Sequence, residues 1–293
     1  MKLHPLIEEL VSRGTVLTDG AWGTQLQARG LAVGEVPDLW NLTQPEKVAE
    51  VARAYVQAGS QIILTNTFGA NRIRLAETGE VARVTEINEA GARISREAAA
   101  GRALVFASIG PTGKMLMNGD VTENELQIAF TEQAEALAHG GADGIVIETM
   151  ADLDEARIAI QAAKSTKLPV VASMVFDSGK DKDRTMMGAT PERSAAALID
   201  AGADAIGANC GQGIAGFVSI CARLKKVSAG HPIWIKANAG LPQMRDGKAI
   251  YAMTPAEFSG YVPALLKAGA NFIGGCCGTS PEFIRALRQK LNP

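Results

Sequence analysis

The chain has no excess of positive charge and no long apolar run. It carries 29 Lys and Arg against 31 Asp and Glu, a net charge of −2, and only 5% aromatic residues. Nucleic-acid binding needs a basic surface, so we expect no nucleic-acid partner. No apolar stretch is long enough to span a membrane, and the N-terminal MKLHPLIEEL has no signal-peptide pattern. We therefore expect no membrane association and a cytoplasmic location.

Cysteine and histidine are also scarce, with four and three residues respectively. In a reducing compartment, clustered cysteines are more often metal ligands or catalytic thiols than disulfides. Cys276 and Cys277 are adjacent, and adjacent cysteines rarely bridge each other. No histidine lies in a metal-binding motif, so a metal site in this chain would depend on sulfur.

Apolar residues are abundant, at 47%, and they fall into short stretches separated by amphipathic helical patterns. Eight stretches have the character of buried strands: 15–20, 58–68, 103–110, 140–150, 169–176, 201–211, 232–240 and 268–278. Strands alternating with helices over about 250 residues predict an α/β fold, a (β/α)8 TIM barrel, with residues 1–293 as a single domain. A doubly wound open sheet is the alternative, but no GxGxxG follows the first strand.

Four of these stretches share a register that places polar residues at strand ends. Each begins with a small residue and glycine, runs apolar, and ends in polar or thiol groups. Seven residues after the glycines lie Asn66, Glu148, Asn209 and Cys276; eight residues after them lie Thr67, Thr149, Cys210 and Cys277. Because alternate barrel strands contribute to one interior layer, we expect these residues to converge at the C-terminal mouth.

Three of the four cysteines end the sixth and eighth predicted strands. Cys210, Cys276 and Cys277 would offer three thiolates to one Zn²⁺ ion and leave its fourth position open, as in catalytic zinc sites. The alternative is that they are small buried residues, which is the interpretation that we favour for Cys221. A zinc ion with three thiolates is suited to holding a substrate thiolate, so the pattern predicts S-alkylation of a thiol.

Two carboxylates also end predicted strands, Asp19 after the first and Glu148 after the fourth, with no Lys or Arg near them in sequence. They can hold the ammonium of an amino-acid substrate; the alternatives are solvation and, for Asp19, a helix cap. Further polar residues at the mouth can bind a substrate carboxylate or satisfy loop backbone: Asn66, Thr67, Ser108, Asn209 and Asn238. Asn238 can also occupy the open zinc position when no substrate is bound.

Two other features of the loops suggest further roles. The segments NAG (238–240) and GG (274–275) loosely fit a phosphate-binding barrel, but that interpretation leaves the three cysteines unexplained. The polar segment 177–190 follows the fifth predicted strand at the mouth and is a candidate lid.

Seven motifs together resemble the homocysteine S-methyltransferase family: DGAWGTQLQ (19–27), LTNTFGANR (64–72), IGPTG (109–113), IET (147–149), GANCG (207–211), KANAG (236–240) and GGCCGT (274–279). The resemblance implies a (β/α)8 barrel whose zinc is bound by Cys210, Cys276 and Cys277. It implies that homocysteine supplies the fourth ligand and is methylated to methionine. It also implies that Asp19 and Glu148 contact homocysteine, and it matches Asn238 to the asparagine of the seventh-strand motif.

The resemblance leaves the methyl donor open. LTNTFGANRIRL is most similar to the homocysteine-binding module of cobalamin-dependent methionine synthase. Methylfolate, S-methylmethionine, a betaine-like compound and a separate corrinoid protein are the candidate donors. Thr149 stands where betaine enzymes carry an aromatic residue, and we expect Trp22 and Trp40 to serve in packing. The alternative functions are a non-catalytic or partner-dependent subunit of a corrinoid methyltransferase complex, and a zinc or thiol redox sensor.

Overall fold

Eight parallel strands form the barrel that the sequence predicts. The computed structural model describes residues 3–245 and 248–291. The barrel strands are β1 (Val16–Leu17), β2 (Ile62–Ile63), β3 (Leu104–Ile109), β4 (Gly144–Met150), β5 (Val170–Met174), β6 (Ala205–Gly213), β7 (Ile233–Asn238) and β10 (Ala270–Gly275). They are ordered β1-β10-β7-β6-β5-β4-β3-β2, and a parallel bridge between Thr18 and Ile62 brings the two ends of the sheet together. A separate antiparallel hairpin is formed by β8 (Gln243–Arg245) and β9 (Lys248–Ile250).

Helices surround the strands and account for most of the connections. They are α1 (Pro5–Ser12), α2 (Gly23–Gln27), α3 (Trp40–Thr43), α4 (Pro45–Ala58), α5 (Arg72–Ala76), α6 (Val84–Ala99), α7 (Glu123–His139), α8 (Leu153–Lys164), α9 (Pro191–Asp200), α10 (Ile214–Lys226), α11 (Pro255–Ser259), α12 (Val262–Ala268) and α13 (Pro281–Leu291). No helix of the described residues combines the length and the apolar character that crossing a membrane requires.

Local sequence signals set the helix ends. Thr122 and Glu125 form a reciprocal capping box at the start of α7, and the Thr190 hydroxyl caps α9, which begins with proline. Gly59 ends α4 in the left-handed conformation, with φ of 104°. The helix therefore ends, and the chain turns toward the next strand, at the small residue and glycine that begin the repeated pattern.

The alternation of side chains along the strands divides the barrel interior into layers. One apolar cluster fills the lower interior with residues from all eight strands, and Ile7 of α1 joins it: Val16, Ile62, Phe106, Val146, Val171, Ala205, Trp234 and Phe272. Two residues further along β3, β4, β5 and β7, and four residues further along β6, the side chains are polar and buried: Ser108, Glu148, Ser173, Lys236 and Asn209. The strand period of two thus places the polar groups directly above the apolar plug.

The structure differs from the sequence prediction at three places outside the strands. The amphipathic segment 255–269 forms two helices, α11 and α12, because Pro263 has no N–H for a continuous helix. Helix α1 and the β8–β9 hairpin were not predicted.

The candidate lid at 177–190 is held in place by two contacts. Arg223 pairs with Asp183, and the Gln212 amide donates a hydrogen bond to the Lys182 carbonyl. None of its residues lines the cavity at the mouth, and a lid role stays a prediction.

Strands β6 and β7 approach each other closely at Gly207. A Cβ at this position would lie 2.0 Å from the Trp234 carbonyl oxygen, a backbone atom that cannot rotate away. We expect Gly207→Ala to lower the free energy of unfolding by about 3 kcal/mol or more, measured by chemical denaturation. Gly23→Ala is the control, since its Cβ meets nothing within 4 Å. Equal stability of the two variants would contradict the packing.

Candidate metal centre and substrate cavity

Three of the four cysteines meet at the barrel mouth, as the sequence predicts. Their sulfur atoms all lie within 4.8 Å of one another, and those of Cys210 and Cys277 are 3.9 Å apart. Sulfur atoms that bind one tetrahedral zinc ion at about 2.3 Å lie about 3.8 Å apart. The spacing of these thiols therefore suits a shared metal ion. Cys221 is buried in α10, as its interpretation as a packing residue requires.

Backbone geometry at the two strand ends brings the sulfurs together. Cys210 has φ of 60° and Gly211 has φ of 74°, so the chain turns sharply within the last part of β6. After β10, the N–H of Cys276 donates to the Ala237 carbonyl at 2.7 Å. The backbone carbonyl of Cys277 accepts a hydrogen bond from the Ala239 N–H at 3.0 Å. These two bonds fix the adjacent cysteines against the end of β7.

The contacts among the thiols oppose the ionisation of all three. Hydrogen bonds from the two neighbouring thiols lower the pKa of Cys210. Its contacts, together with burial, raise the pKa values of Cys276 and Cys277. Three thiolates at this spacing would repel one another strongly, and a divalent cation would remove that penalty.

Asn238 adds an oxygen without a partner. Its side chain is 4% exposed, and its Oδ1 atom accepts no hydrogen bond from any described residue. A buried amide oxygen without a donor is costly. A metal ion held by the adjacent cysteines would satisfy it, so the residues present fit the expected metal.

A cavity of about 380 Å³ opens at the mouth and reaches the cysteines. Trp22, Phe68, Leu64 and Pro37 supply apolar surface to its wall. Polar and charged side chains also line it: Asp38, Asn66, Arg74, Ser108, Glu148, Thr149 and Lys236. The cavity therefore joins the thiol cluster to charged groups that a small polar substrate can contact.

Glu148 lies in this wall and is held by two neighbours. Its carboxylate accepts a hydrogen bond from the Ser108 hydroxyl and a longer one, of 3.5 Å, from the Asn209 amide. Burial raises the pKa of Glu148, while the charge of Lys236 and the Ser108 hydrogen bond oppose the rise. Asn209 also accepts the Thr149 N–H at 2.8 Å, which supports Thr149 at φ of 63°. This left-handed backbone is strained for a β-branched residue.

Asp19 has a different environment from the one that the sequence indicated. No Lys or Arg lies near it in sequence, but Lys236 forms an ion pair with its Oδ1 atom. Its Oδ2 atom accepts hydrogen bonds from the Leu64 N–H at 2.7 Å and from the Trp22 indole at 2.8 Å. Asp19 is fully buried and does not line the cavity. Its contacts are therefore structural, and a role in substrate binding stays a prediction.

Asn66 and Thr67 satisfy backbone groups, the alternative that the sequence left open. The Asn66 amide donates to the Pro37 carbonyl and to Asn41, and the Thr67 hydroxyl donates to the Ser108 carbonyl. Both side chains are buried, and of the two only Asn66 lines the cavity. Their contact with substrate stays a prediction.

Three charged residues of the cavity, Lys236, Asp38 and Arg74, were not predicted. Lys236 interrupts the apolar run of β7, and a lysine in a buried strand is a signal that could have identified it. Asp38 is 4% exposed, and its Oδ1 atom accepts the Gly69 N–H at 3.0 Å. Burial raises the pKa of Asp38 from 3.8 to about 6. Its place in a loop between apolar residues gave no comparable signal.

The raised pKa of Asp38 predicts a pH-dependent stability. The folded state binds a proton more tightly than the unfolded state, so this group lowers the free energy of unfolding as pH rises from about 4 to about 6. Asp38→Asn resembles the protonated form. We expect it to be more stable than the parent chain by on the order of 2 to 3 kcal/mol above pH 6. The difference should vanish below pH 4, as followed by denaturation at a series of pH values.

Glu192 provides a control of opposite sign. Its hydrogen bonds to Arg223 lower its pKa to about 2, so its stabilising effect is present at neutral pH and is lost as pH falls from about 4.5 to about 2. Glu192→Gln should therefore be less stable than the parent at pH 7. A gain in stability for both variants at pH 7 would contradict the assignments.

Two methionine synthases are similar to the chain over most of its length. The methionine synthase of Mycobacterium tuberculosis is 29% identical over 298 residues, which cover 95% of this chain and 25% of that protein. The methionine synthase of Mycobacterium leprae is 29% identical over 301 residues, which cover 96% and 24%. The chain thus spans about a quarter of the length of these two relatives.

Solved structures share the barrel. The metallated form of the homocysteine methyltransferase MmuM from Escherichia coli has a TM-score of 0.81 at 24% identity and covers 98% of this chain and 100% of that one. The carboxyl transferase domain of Rhizobium etli pyruvate carboxylase has a TM-score of 0.56 at 15% identity, covering 97% and 49%. At these identities the likeness concerns the fold. Residues 16–291, nearly the whole chain, match the family model described as Homocysteine S-methyltransferase, and the chain therefore belongs to that family.

Proposed function

We propose that this protein transfers a methyl group to the thiol of homocysteine and so forms methionine, with Zn²⁺ held by Cys210, Cys276 and Cys277. The observation that carries the proposal is the meeting of three thiols within 4.8 Å at one end of an open cavity. Family membership supports the reaction, and the spacing of the sulfurs supports zinc. Because the site requires reduced thiols, we also propose a cytoplasmic location.

The donor set determines what the metal contributes. When bound, zinc supplies a cation that keeps a fourth, substrate sulfur in its thiolate form at neutral pH, where a free thiol is mostly protonated. Asn238 would hold the fourth position until substrate arrives, since its Oδ1 atom is free to accept. No residue of the chain then has to act as a general base toward the thiol.

The cavity wall supports an amino-acid substrate. Glu148 lies two residues before the end of β4, with its carboxylate oriented by Ser108 and Asn209. It is the carboxylate on the wall that is placed to hold the homocysteine ammonium. The apolar wall that includes Trp22 and Leu64 would exclude water from the reacting sulfur.

The methyl donor would enter through the open side of the cavity. The four candidate classes are methylfolate, S-methylmethionine, a betaine-like compound and a separate corrinoid protein. A methyl-transfer assay that supplies each free donor in turn identifies the class. Inactivity with every free donor, together with capture of a cobalamin protein, would favour a subunit of a corrinoid complex.

Substitution of one ligand tests the metal centre. We expect Cys276→Ala to lose bound zinc and at least 100-fold in methyl-transfer rate, because two thiolates hold the ion poorly. Metal content by mass spectrometry and circular dichroism on the same sample separate loss of metal from loss of fold. Cys221→Ala is the matched control, since Cys221 is buried in α10 away from the cluster, and it should keep its zinc. Full activity of the Cys276 variant would refute the mechanism.

Zinc K-edge absorption on the purified protein tests the open position and the acceptor together. Without substrate we expect three sulfur ligands and one nitrogen or oxygen ligand. With L-homocysteine we expect four sulfur ligands, because the substrate thiolate replaces the light atom. Four ligands that do not change would instead indicate a closed site, as in a structural zinc site or a redox sensor.

A further inference from the structure

Lys236 is a buried cation that the metal chemistry does not use. It lies in β7 two residues beyond Trp234, and its side chain is 2% exposed. Its neighbours in register are Asn209 on β6 and Gly274 on β10. Gly274 has no side chain, and a Cβ there would lie 2.0 Å from the Thr18 hydroxyl. Strands β1 and β10 therefore pack closely together beside Lys236.

The Lys236 ammonium has unused hydrogen-bonding capacity. An ammonium group carries three N–H donors. In the described part of the chain, its one hydrogen-bond acceptor is Asp19, whose other oxygen is engaged by Leu64 and Trp22. Lys236 also lines the cavity, as do Glu148, Ser108, Thr149 and the three clustered cysteines. A buried ammonium with free donors on a cavity wall is suited to bind an anionic group of a ligand.

The other cation of the cavity wall is placed differently. Arg74 is exposed, stacks over the Phe68 ring at 6.0 Å, and interacts with Asp38. Lys236 belongs to the buried polar layer of the barrel that also holds Glu148. A substrate whose sulfur lies at the cysteines would therefore meet one carboxylate and one ammonium, a pair complementary to an amino-acid zwitterion.

We propose that the Lys236 ammonium binds the α-carboxylate of the thiol substrate, so that this residue determines specificity for an amino-acid thiol. The inference rests on the proposed function, because it takes the substrate sulfur to lie at the cysteine cluster. Asp19 orients the lysine through their ion pair, and Glu148 receives the substrate ammonium. The alternative is that Lys236 only neutralises Asp19.

Two thiols that differ by one carboxylate separate these roles. L-homocysteine and 3-aminopropane-1-thiol share the thiol and the amine, and only the first has a carboxylate. We expect zinc-loaded protein to bind homocysteine about 10- to 100-fold more tightly, as measured by calorimetry, because one charge-assisted contact is lost in the other ligand. In Lys236→Met the ratio of the two dissociation constants should fall to within about threefold of unity.

A double variant controls for destabilisation of the fold by an unpaired buried carboxylate. Lys236→Met alone leaves Asp19 buried without its partner, which can destabilise the chain. Asp19→Asn combined with Lys236→Met removes both charges. Any effect of Asp19 on the substrate amine applies to both ligands and cancels in the ratio. The double variant should therefore lose the carboxylate preference as well. Circular dichroism and zinc content verify that each variant is folded and loaded.

Lys164→Met is the matched control. Lys164 pairs with Asp204, which lies just before β6 at the opposite end of the barrel, so its loss should leave the ratio unchanged. A ratio near unity in the parent chain, or an unchanged ratio in the double variant, would overturn the role of Lys236 alone. Binding of neither thiol to the zinc-loaded parent would overturn the proposed function and, with it, this inference.

Discussion

Negative charge in a buried space is the constraint on which the barrel mouth depends. Asp19, Glu148 and the three clustered cysteines bring five acidic groups to one end of the barrel. Asp19 is neutralised by Lys236, and Glu148 is stabilised by hydrogen bonds from Ser108 and Asn209. In the described chain, the hydrogen bonds to the thiols come from one another and from neutral side chains, not from a cation. The thiol cluster is thus the part of the mouth whose charge balance calls for a metal ion.

Backbone strain at the ends of two strands accompanies this arrangement. Thr149 and Cys210 have positive φ values of 63° and 60°, although neither is glycine. Such conformations cost on the order of 1 to 3 kcal/mol each and persist where surrounding contacts over-determine them. Asn209 supplies such contacts, because its side chain bonds to both the N–H and the hydroxyl of Thr149 and to Ser173. Asn209, which precedes Cys210 in β6, therefore stabilises the strained backbone of Thr149 in β4, and the ends of these two strands depend on each other.

The strands and the cysteine cluster could be predicted because both follow from spacing along the chain. The repeat of small residue, glycine and apolar run fixes the strand ends, and the barrel brings those ends together. The Asp19–Lys236 ion pair could not be predicted, since 217 residues separate its members and only closure of the barrel joins them. Asn66 and Thr67 share the register of the site residues, yet their hydrogen bonds go to the Pro37 carbonyl and to the Ser108 carbonyl in β3. Register predicts where a side chain lies but not which of its neighbours it will bind.

The size of the cavity bears on how methyl transfer would proceed. Pockets of roughly 300 to 1,000 Å³ enclose drug-sized ligands, and this cavity of about 380 Å³ lies within that range, so it has room beyond that of one small amino acid. An acceptor at the cysteines and Glu148 would leave the part lined by Trp22, Pro37 and Phe68 free. A second molecule can then approach the sulfur directly, as an in-line displacement requires. Both substrates would be held on one rigid scaffold, since the strand ends supply the acceptor groups and the loops after β1 and β2 supply the apolar wall.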